Sequence, residues 1–291
     1  MKYLDSMRLD NPEAWLEAAL SSKKDNVNQL KIIEQDLSDK FSDYNKIITN
    51  CDEKPEESEF LGHKDLLVNY YEHPPAALNR LVVTRRTEHG LLDCPFCGNP
   101  KEPDTLDHFI PKDDWPEFSI NPNNLVPQCR GCAPTKSSKY YCEEDEVAIY
   151  LHPMYTDLLS KFRFKIAVEF SERTGKVSFT LSLSKPQSID SPSTERVVRH
   201  FRQLGLQKRV QLYCYREFNK WKGLLTKRKF NIEEALNQRL TESSTQELGR
   251  NWKTALYIGI LENRELVDYL NGLANEDLNE VDEEAEVEIE M

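Results

Sequence analysis

Cys94-Pro95-Phe96-Cys97, Thr105-Leu106-Asp107-His108-Phe109-Ile110-Pro111-Lys112, Asn121-Pro122-Asn123-Asn124-Leu125-Val126-Pro127 and Cys129-Arg130-Gly131-Cys132 follow one another between positions 94 and 132. The zone around them, 90–142, is rich in Pro, Asn, Asp and Cys and carries little helical or strand periodicity. Something other than a large apolar core must hold it together. The two CxxC pairs offer the means. A CxxC turn presents two thiolates to one metal ion, and two such turns complete a closed tetrahedral site for Zn2+ made of Cys94, Cys97, Cys129 and Cys132. With sulfur at all four positions none is left open, so this zinc is expected to fold the module and not to perform chemistry. In the cytosolic setting expected for the chain, a metal is favoured over disulfides. Cys51, Cys142 and Cys214 are expected to be ordinary thiols.

The order CxxC, Asp-His-x-x-Pro, Asn-Leu-Val-Pro, CxxC and then Lys136 resembles the HNH endonuclease family, the ββα-metal nucleases, in the variant stapled by two CxxC pairs. The resemblance covers about 94–139. It implies that His108 is the general base that activates water against a scissile phosphate. It further implies that Asp107 ligates a catalytic divalent cation, Mg2+ or a similar ion, and that Asn124 braces the loop and orients the base. These residue types suit the chemistry: a neutral imidazole accepts a proton near pH 7, and a hard cation on a carboxylate stabilises charge developing on phosphate and leaving oxygen. Consecutive strand residues point to opposite faces, so Asp107 and His108 serve one phosphate only where the backbone bends.

One position departs from the family pattern. Where the family has His or Asn directly after the last cysteine, as a second ligand of the cation, this chain has Ala133. Either a substitute ligand serves, with Asn123, Asp113, Asp114 and His152 as candidates, or metal-dependent activity is weakened or lost. The phrases Leu106–Lys112, Trp115-Pro116-Glu117-Phe118-Ser119 and Tyr150-Leu151-His152-Pro153 look, more loosely, like the PtuB-type HNH nucleases of Septu and retron anti-phage defence systems. That likeness implies a PtuA-type ATPase partner, with helices outside the module serving as docking surface.

Outward from the module, residues 11–48 read as helical, with Trp15, Ala18, Leu20, Val27, Leu30, Ile33, Leu37 and Phe41 recurring at three-to-four spacing. The acidic stretch from Cys51 to Phe60 reads as a loop, and helices are expected over about 61–72 and 75–88. Phe164, Ile166, Val168 and Phe170 alternate, as do Val177, Phe179, Leu181 and Leu183, with Thr174-Gly175 between them; this predicts a β-hairpin. From Ser193 to about 274 the pattern is helical, with breaks at Leu204-Gly205, near Phe230-Asn231 and around Gly249. The fold class expected is α+β: a mostly helical chain around a small zinc-stapled ββα module. Its parts are a helical region 1–88, the module 89–142, a hairpin-plus-helix region 143–275 and an acidic disordered tail 276–291.

The 291 residues hold 38 basic and 50 acidic side chains, a formal charge of −12. That charge is uneven. Residues 276–291 carry −9 and residues 1–60 carry −6, which leaves +3 for 61–275. Within 196–230 stand eleven Lys or Arg against one acid, Glu217. Steering depends on local potential within about 8–10 Å, so acidity of the whole chain does not exclude a nucleic-acid partner. Lys136, Arg199, Arg202, Lys208 and Arg209 are the expected nucleic-acid contacts, DNA above all. With Phe201, Tyr213, Tyr215, Phe218 and Trp221 among its charges, the segment suits phosphate binding and an amphipathic helix pair with core aromatics and a solvated charged face equally well. With no run of 18 apolar residues and no apolar leader after Met1, a soluble cytoplasmic protein without a membrane partner is expected. The leading functional expectation is an HNH endonuclease acting on DNA in anti-phage defence. The competing one is a catalytically weak or inactive zinc module that binds nucleic acid or a protein.

Overall fold

The computed structural model describes residues 1–273 and is about 49% helical with small antiparallel sheets, an α+β fold. The acidic segment 276–291 lies outside the described residues. At the N-terminal side α1 (Glu13–Leu20), α2 (Val27–Ile32) and α3 (Glu34–Thr49) replace the continuous helical run expected over 11–48. The polar run Ser21–Asn26 separates α1 from α2, and within it Lys24 Nζ donates to Asn69 Oδ1 at 2.6 Å and to His73 O at 2.7 Å. The helices α4 (Lys64–Glu72) and α5 (Ala76–Thr87) follow, close to their expected bounds.

The module itself consists of β1 (Thr105–His108), β2 (Leu125–Gln128) and α6 (Ala133–Lys136). The strands pair antiparallel, with Asp107 opposite Val126 and His108 opposite Leu125. Strand β2 is buried along its whole length and feeds two apolar clusters. Leu125 packs with the N-terminal helices, among Trp15, Leu30, Phe41 and Tyr70, whereas its neighbour Val126 packs with the cysteines and the C-terminal region. Strand alternation thus sets the module between two cores. Arg85 of α5 ties the three parts together: its Nε donates to Leu125 O (2.7 Å), Nη1 to Met7 O (3.0 Å) and Nη2 to Met154 Sδ (3.0 Å).

Beyond the module come the short pair β3 (Tyr141–Cys142) and β4 (Val147–Ala148), then α7 (Leu158–Lys161). The expected hairpin is β5 (Arg163–Ser171) and β6 (Lys176–Ser184), with Gly175 at φ +63° in the turn, where a side chain would be strained. Five helices complete the chain: α8 (Ser191–Gln203), α9 (Leu206–Leu225), α10 (Ile232–Thr241), α11 (Trp252–Glu262) and α12 (Arg264–Leu273). Gly259 of α11 lies so close to β5 that any side chain there would collide with Ile166 O. The break at Asn263 was not expected. Its Nδ2 donates to Val168 O at 2.9 Å while its Oδ1 caps α12 through Leu266 N, so a tertiary contact divides an otherwise continuous helical pattern.

Candidate metal centre and strand site

Each cysteine pair sits on a tight knuckle. Gly98 N donates to Cys94 O at 2.9 Å with Gly98 at φ +69°, and Cys132 N donates to Cys129 O at 2.9 Å. The four sulfurs lie within 4.8 Å of one another, with Cys97–Cys129 at 3.7 Å and Cys129–Cys132 at 3.8 Å. A tetrahedron with Zn–S bonds of about 2.3 Å has edges of about 3.8 Å, so the sulfurs fit a zinc ion. All seven cysteines are free thiols, and the four ligand candidates are buried. Among the described residues this is the one group of three or more His, Cys, Asp or Glu side chains placed to hold a metal.

One strand away, Asp107 and His108 are each held by a different element. His108 Nε2 lies 2.9 Å from Ser119 O. A carbonyl can only accept, so Nε2 carries the proton and Nδ1 is left with the lone pair. The ring is met edge-on by Tyr71 of α4, with centroids 4.3 Å apart. Burial drives its pKa down to about 3 against the opposing bond to Ser119 O, and the charges of Lys112 and Lys136 push the same way as burial. The imidazole is neutral at pH 7.

Asp107 turns toward α6, where Lys136 Nζ stands 3.0 Å from its Oδ2; the two side chains are 11% and 0% exposed. Burial pushes the Asp107 pKa up and the lysine partly restores it. Lys136 also donates to His108 O (3.0 Å) and Phe109 O (3.1 Å). This corrects the expectation that Lys136 contacts nucleic acid: it is fully enclosed, and its three donors serve the strand that carries Asp107 and His108. Asn124 is fully buried and bonded on both sides of its amide. Its Oδ1 accepts from Ile110 N (2.7 Å) and Tyr44 Oη (2.9 Å), while Nδ2 donates to Ile110 O (2.9 Å) and Phe118 O (3.1 Å).

The substitute ligands considered for the place of Ala133 are engaged elsewhere or stand in solvent. Asn123 exchanges both amide bonds with Leu9, at 2.8 and 2.9 Å. His152 donates from Nε2 to Asn123 O (3.0 Å) and accepts from Met154 N at Nδ1 (3.2 Å), and burial lowers its pKa to about 3. Asp113 pairs with Lys64 at 3.0 Å, and Asp114 is exposed beside it. Asp107 is itself paired, with the enclosed Lys136, so a cation at the strand site would have to share or displace that lysine.

The basic segment divides. Arg209 is half-buried and turned inward: its guanidinium lies on the cysteine cluster, Nη2 being 3.6 Å from Cys97 Sγ and 3.8 Å from Cys129 Sγ. Arg199 pairs with Asp145 at 2.6 Å. Arg202 and Lys208 are exposed and, with Lys185, rim an apolar groove of about 690 Å³ floored by Leu181, Leu183, Phe201 and Leu206. Phe201 and Phe218 are buried, and Tyr213 and Trp221 are half-buried against the core, which leaves Tyr215 the most exposed aromatic of the segment. The residues that sequence reading missed are Ser119, whose carbonyl fixes the tautomer, and Tyr71, which covers the imidazole. Neither carries a local signal, since one acts through its backbone and the other arrives from a distant helix.

No family model matches the chain, and no solved structure matches it. It is similar to Protein ea31 of Escherichia phage lambda, with 32% identity over 120 residues, which is 41% of this chain. The aligned part amounts to 40% of that relative's length.

Proposed function

We propose that the chain is a metal-dependent HNH endonuclease that hydrolyses phosphodiester bonds of DNA, with His108 as general base and Asp107 as cation ligand. The observation that carries this reading is the fixed tautomer of His108, whose Nε2–H is anchored on Ser119 O so that Nδ1 is the basic atom. In the reaction Nδ1 takes a proton from water, the resulting hydroxide forms a bond to phosphorus, and the bond to the leaving sugar oxygen breaks. A pKa near 3 makes the resting imidazole a weak base. An anionic phosphate beside it favours the protonated form and raises its basicity when substrate binds. Asn124 ties Ile110 to Phe118 within the loop that follows His108, and Lys136 offsets part of the burial that pushes the Asp107 pKa up. A divalent cation on Asp107 would neutralise phosphate charge and stabilise the leaving oxygen.

Mg2+ or Mn2+ added to plasmid and total RNA, with the chain alone and with a co-encoded ATPase of the PtuA type, tests the proposal. Cleavage of DNA is expected, with His108→Ala slower by about 10²–10⁴-fold. Wild-type rates for His108→Ala and Asp107→Ala under saturating Mg2+ would refute the assignment. The role in anti-phage defence is part of the same proposal and is tested by plaque counts with and without these variants.

A second reading is favoured by two observations, the Asp107–Lys136 ion pair and the alanine at 133. It is a zinc-stapled module that binds nucleic acid or a protein without cutting. Salt-sensitive DNA binding without cleavage, unaffected by His108→Ala, is the outcome that selects it.

A further inference from the structure

The first zinc knuckle is held from outside the module. Its three consecutive carbonyls accept from the C-terminal region: Phe96 O from His200 Nε2 at 2.8 Å, Cys97 O from Trp252 Nε1 at 2.6 Å, and Gly98 O from Trp252 N at 3.1 Å. Above the sulfurs lies Arg209 of α9. Nη1 is 3.5 Å from Cys132 Sγ, and Nη2 is 3.6 Å from Cys97 Sγ, 3.8 Å from Cys129 Sγ and 3.6 Å from Cys132 Sγ. Nη1 also donates to Leu204 O at 3.1 Å, and the guanidinium lies 5.5 Å from the Trp252 ring. The second knuckle is cut back to admit it: a Cβ at Gly131 would stand 2.7 Å from Nη2.

Zinc with four thiolates carries a net charge of −2, and a buried charge left without a counter-ion is costly. A planar guanidinium reaches several sulfurs at once, which an ammonium point charge does not. We infer that Arg209 is an outer-shell clamp of the zinc centre. It offsets part of the thiolate charge, lowers the reactivity of the sulfurs toward protons and electrophiles, and makes zinc retention depend on the C-terminal helices. The inference rests on the zinc reading of the four cysteines and is separate from any cutting activity.

The test uses the full chain. Zinc content is measured by elemental analysis, and zinc release to a colorimetric chelator is followed at neutral pH with and without a thiol-alkylating reagent, with far-UV circular dichroism on each sample. Wild type is expected to hold one zinc. Arg209→Gln is expected to release it about 10–100-fold faster, in line with outer-shell changes at metal sites, with Arg209→Lys in between. Gly131→Ala, which displaces only the flexible end of Arg209, is expected to speed release about threefold or more with an unchanged spectrum. Release within twofold of wild type from folded Arg209→Gln overturns the inference. Should that variant not fold, Gly131→Ala decides by the same twofold limit. Wild type free of zinc overturns both the clamp and the zinc reading beneath it.

Discussion

At the four-cysteine end of the module the polar groups converge. Four sulfurs face one point, a guanidinium caps them, and three knuckle carbonyls are satisfied by helices from far along the chain. At the Asp107–His108 end, one strand away, they diverge. The carboxylate is drawn to Lys136 on α6, while the imidazole is pinned to Ser119 O and roofed by Tyr71 of α4. The cysteines are fully buried while Asp107 and His108 are half-buried, and the geometry differs as well. The first end is complete as a metal site from this chain's own side chains, whereas the second brings together one carboxylate and one neutral imidazole and is not a metal site on its own. A closed site stabilises; an incomplete one is the arrangement from which catalysis or binding can be built.

The sharpest way to break this contrast is at the cysteines. Cys97→Ser is expected to lose zinc and lower the melting temperature by more than about 10 °C, since apparent zinc-binding energies in small metal-folded modules are on the order of 10 kcal/mol. Thermal circular dichroism with metal analysis checks it, and full zinc occupancy with unchanged melting would erase the distinction. Next comes Lys136→Met, expected to cost about 3–5 kcal/mol in urea unfolding because it strands the Asp107 carboxylate and leaves two carbonyls unpaired. Asp107→Asn in the same chain should recover part of that loss; no recovery would mean that the pair is not what binds α6 to β1.

The pH response reports on three histidines together, His152 and His200 buried and His108 half-buried. His108, His152 and His200 have pKa values lowered to about 3, 3 and 4, all chiefly by burial. The unfolded chain, with histidine near 6.5, therefore binds more protons than the folded chain below that pH, and stability falls as pH drops from 6.5 toward 4. Each is expected to remove on the order of 1–2 kcal/mol by pH 5. Asp93, Asp107 and Glu117, whose pKa values burial raises, are protonated first in the folded state and offset part of this fall at the acid end. Urea titrations at pH 5, 6 and 7.5 check the slope, and His108→Gln should flatten it by about a third. Asn124→Ala is expected to cost about 2–3 kcal/mol through the loop donors and acceptors it orphans. Arg199→Ala, which removes a surface pair with Asp145, should cost less than about 1 kcal/mol, and a larger loss would show that the α8 charges do more than face solvent.

Much of the architecture was legible because its signals are local. The alternation from Phe164 to Leu183 fixes a hairpin whose register the turn at Thr174-Gly175 sets, and the CxxC spacing brings four sulfurs within reach of one ion. Lys136 and Arg209 were not legible. Both are cations in basic or polar surroundings, and sequence alone assigns such residues to solvent and to phosphate. Lys136 instead lies under β1 and Arg209 over the thiols, because each finds in the fold a concentrated negative partner that water would otherwise screen. The loop at Asn263 was missed for a similar reason, its signal being a backbone carbonyl on β5.

Chemistry carried by neighbours in the chain belongs to the sequence: knuckle turns, strand alternation, helix caps and the pairing of Asp107 with His108 on one strand. Those depend on bond geometry over a few residues. Tertiary structure alone decided which His108 nitrogen is basic, that Asp107 meets a lysine, and that the C-terminal helices close the cysteine cluster. The reason is physical: desolvation and charge pairing act between groups that packing brings within about 4 Å, whatever their separation along the chain.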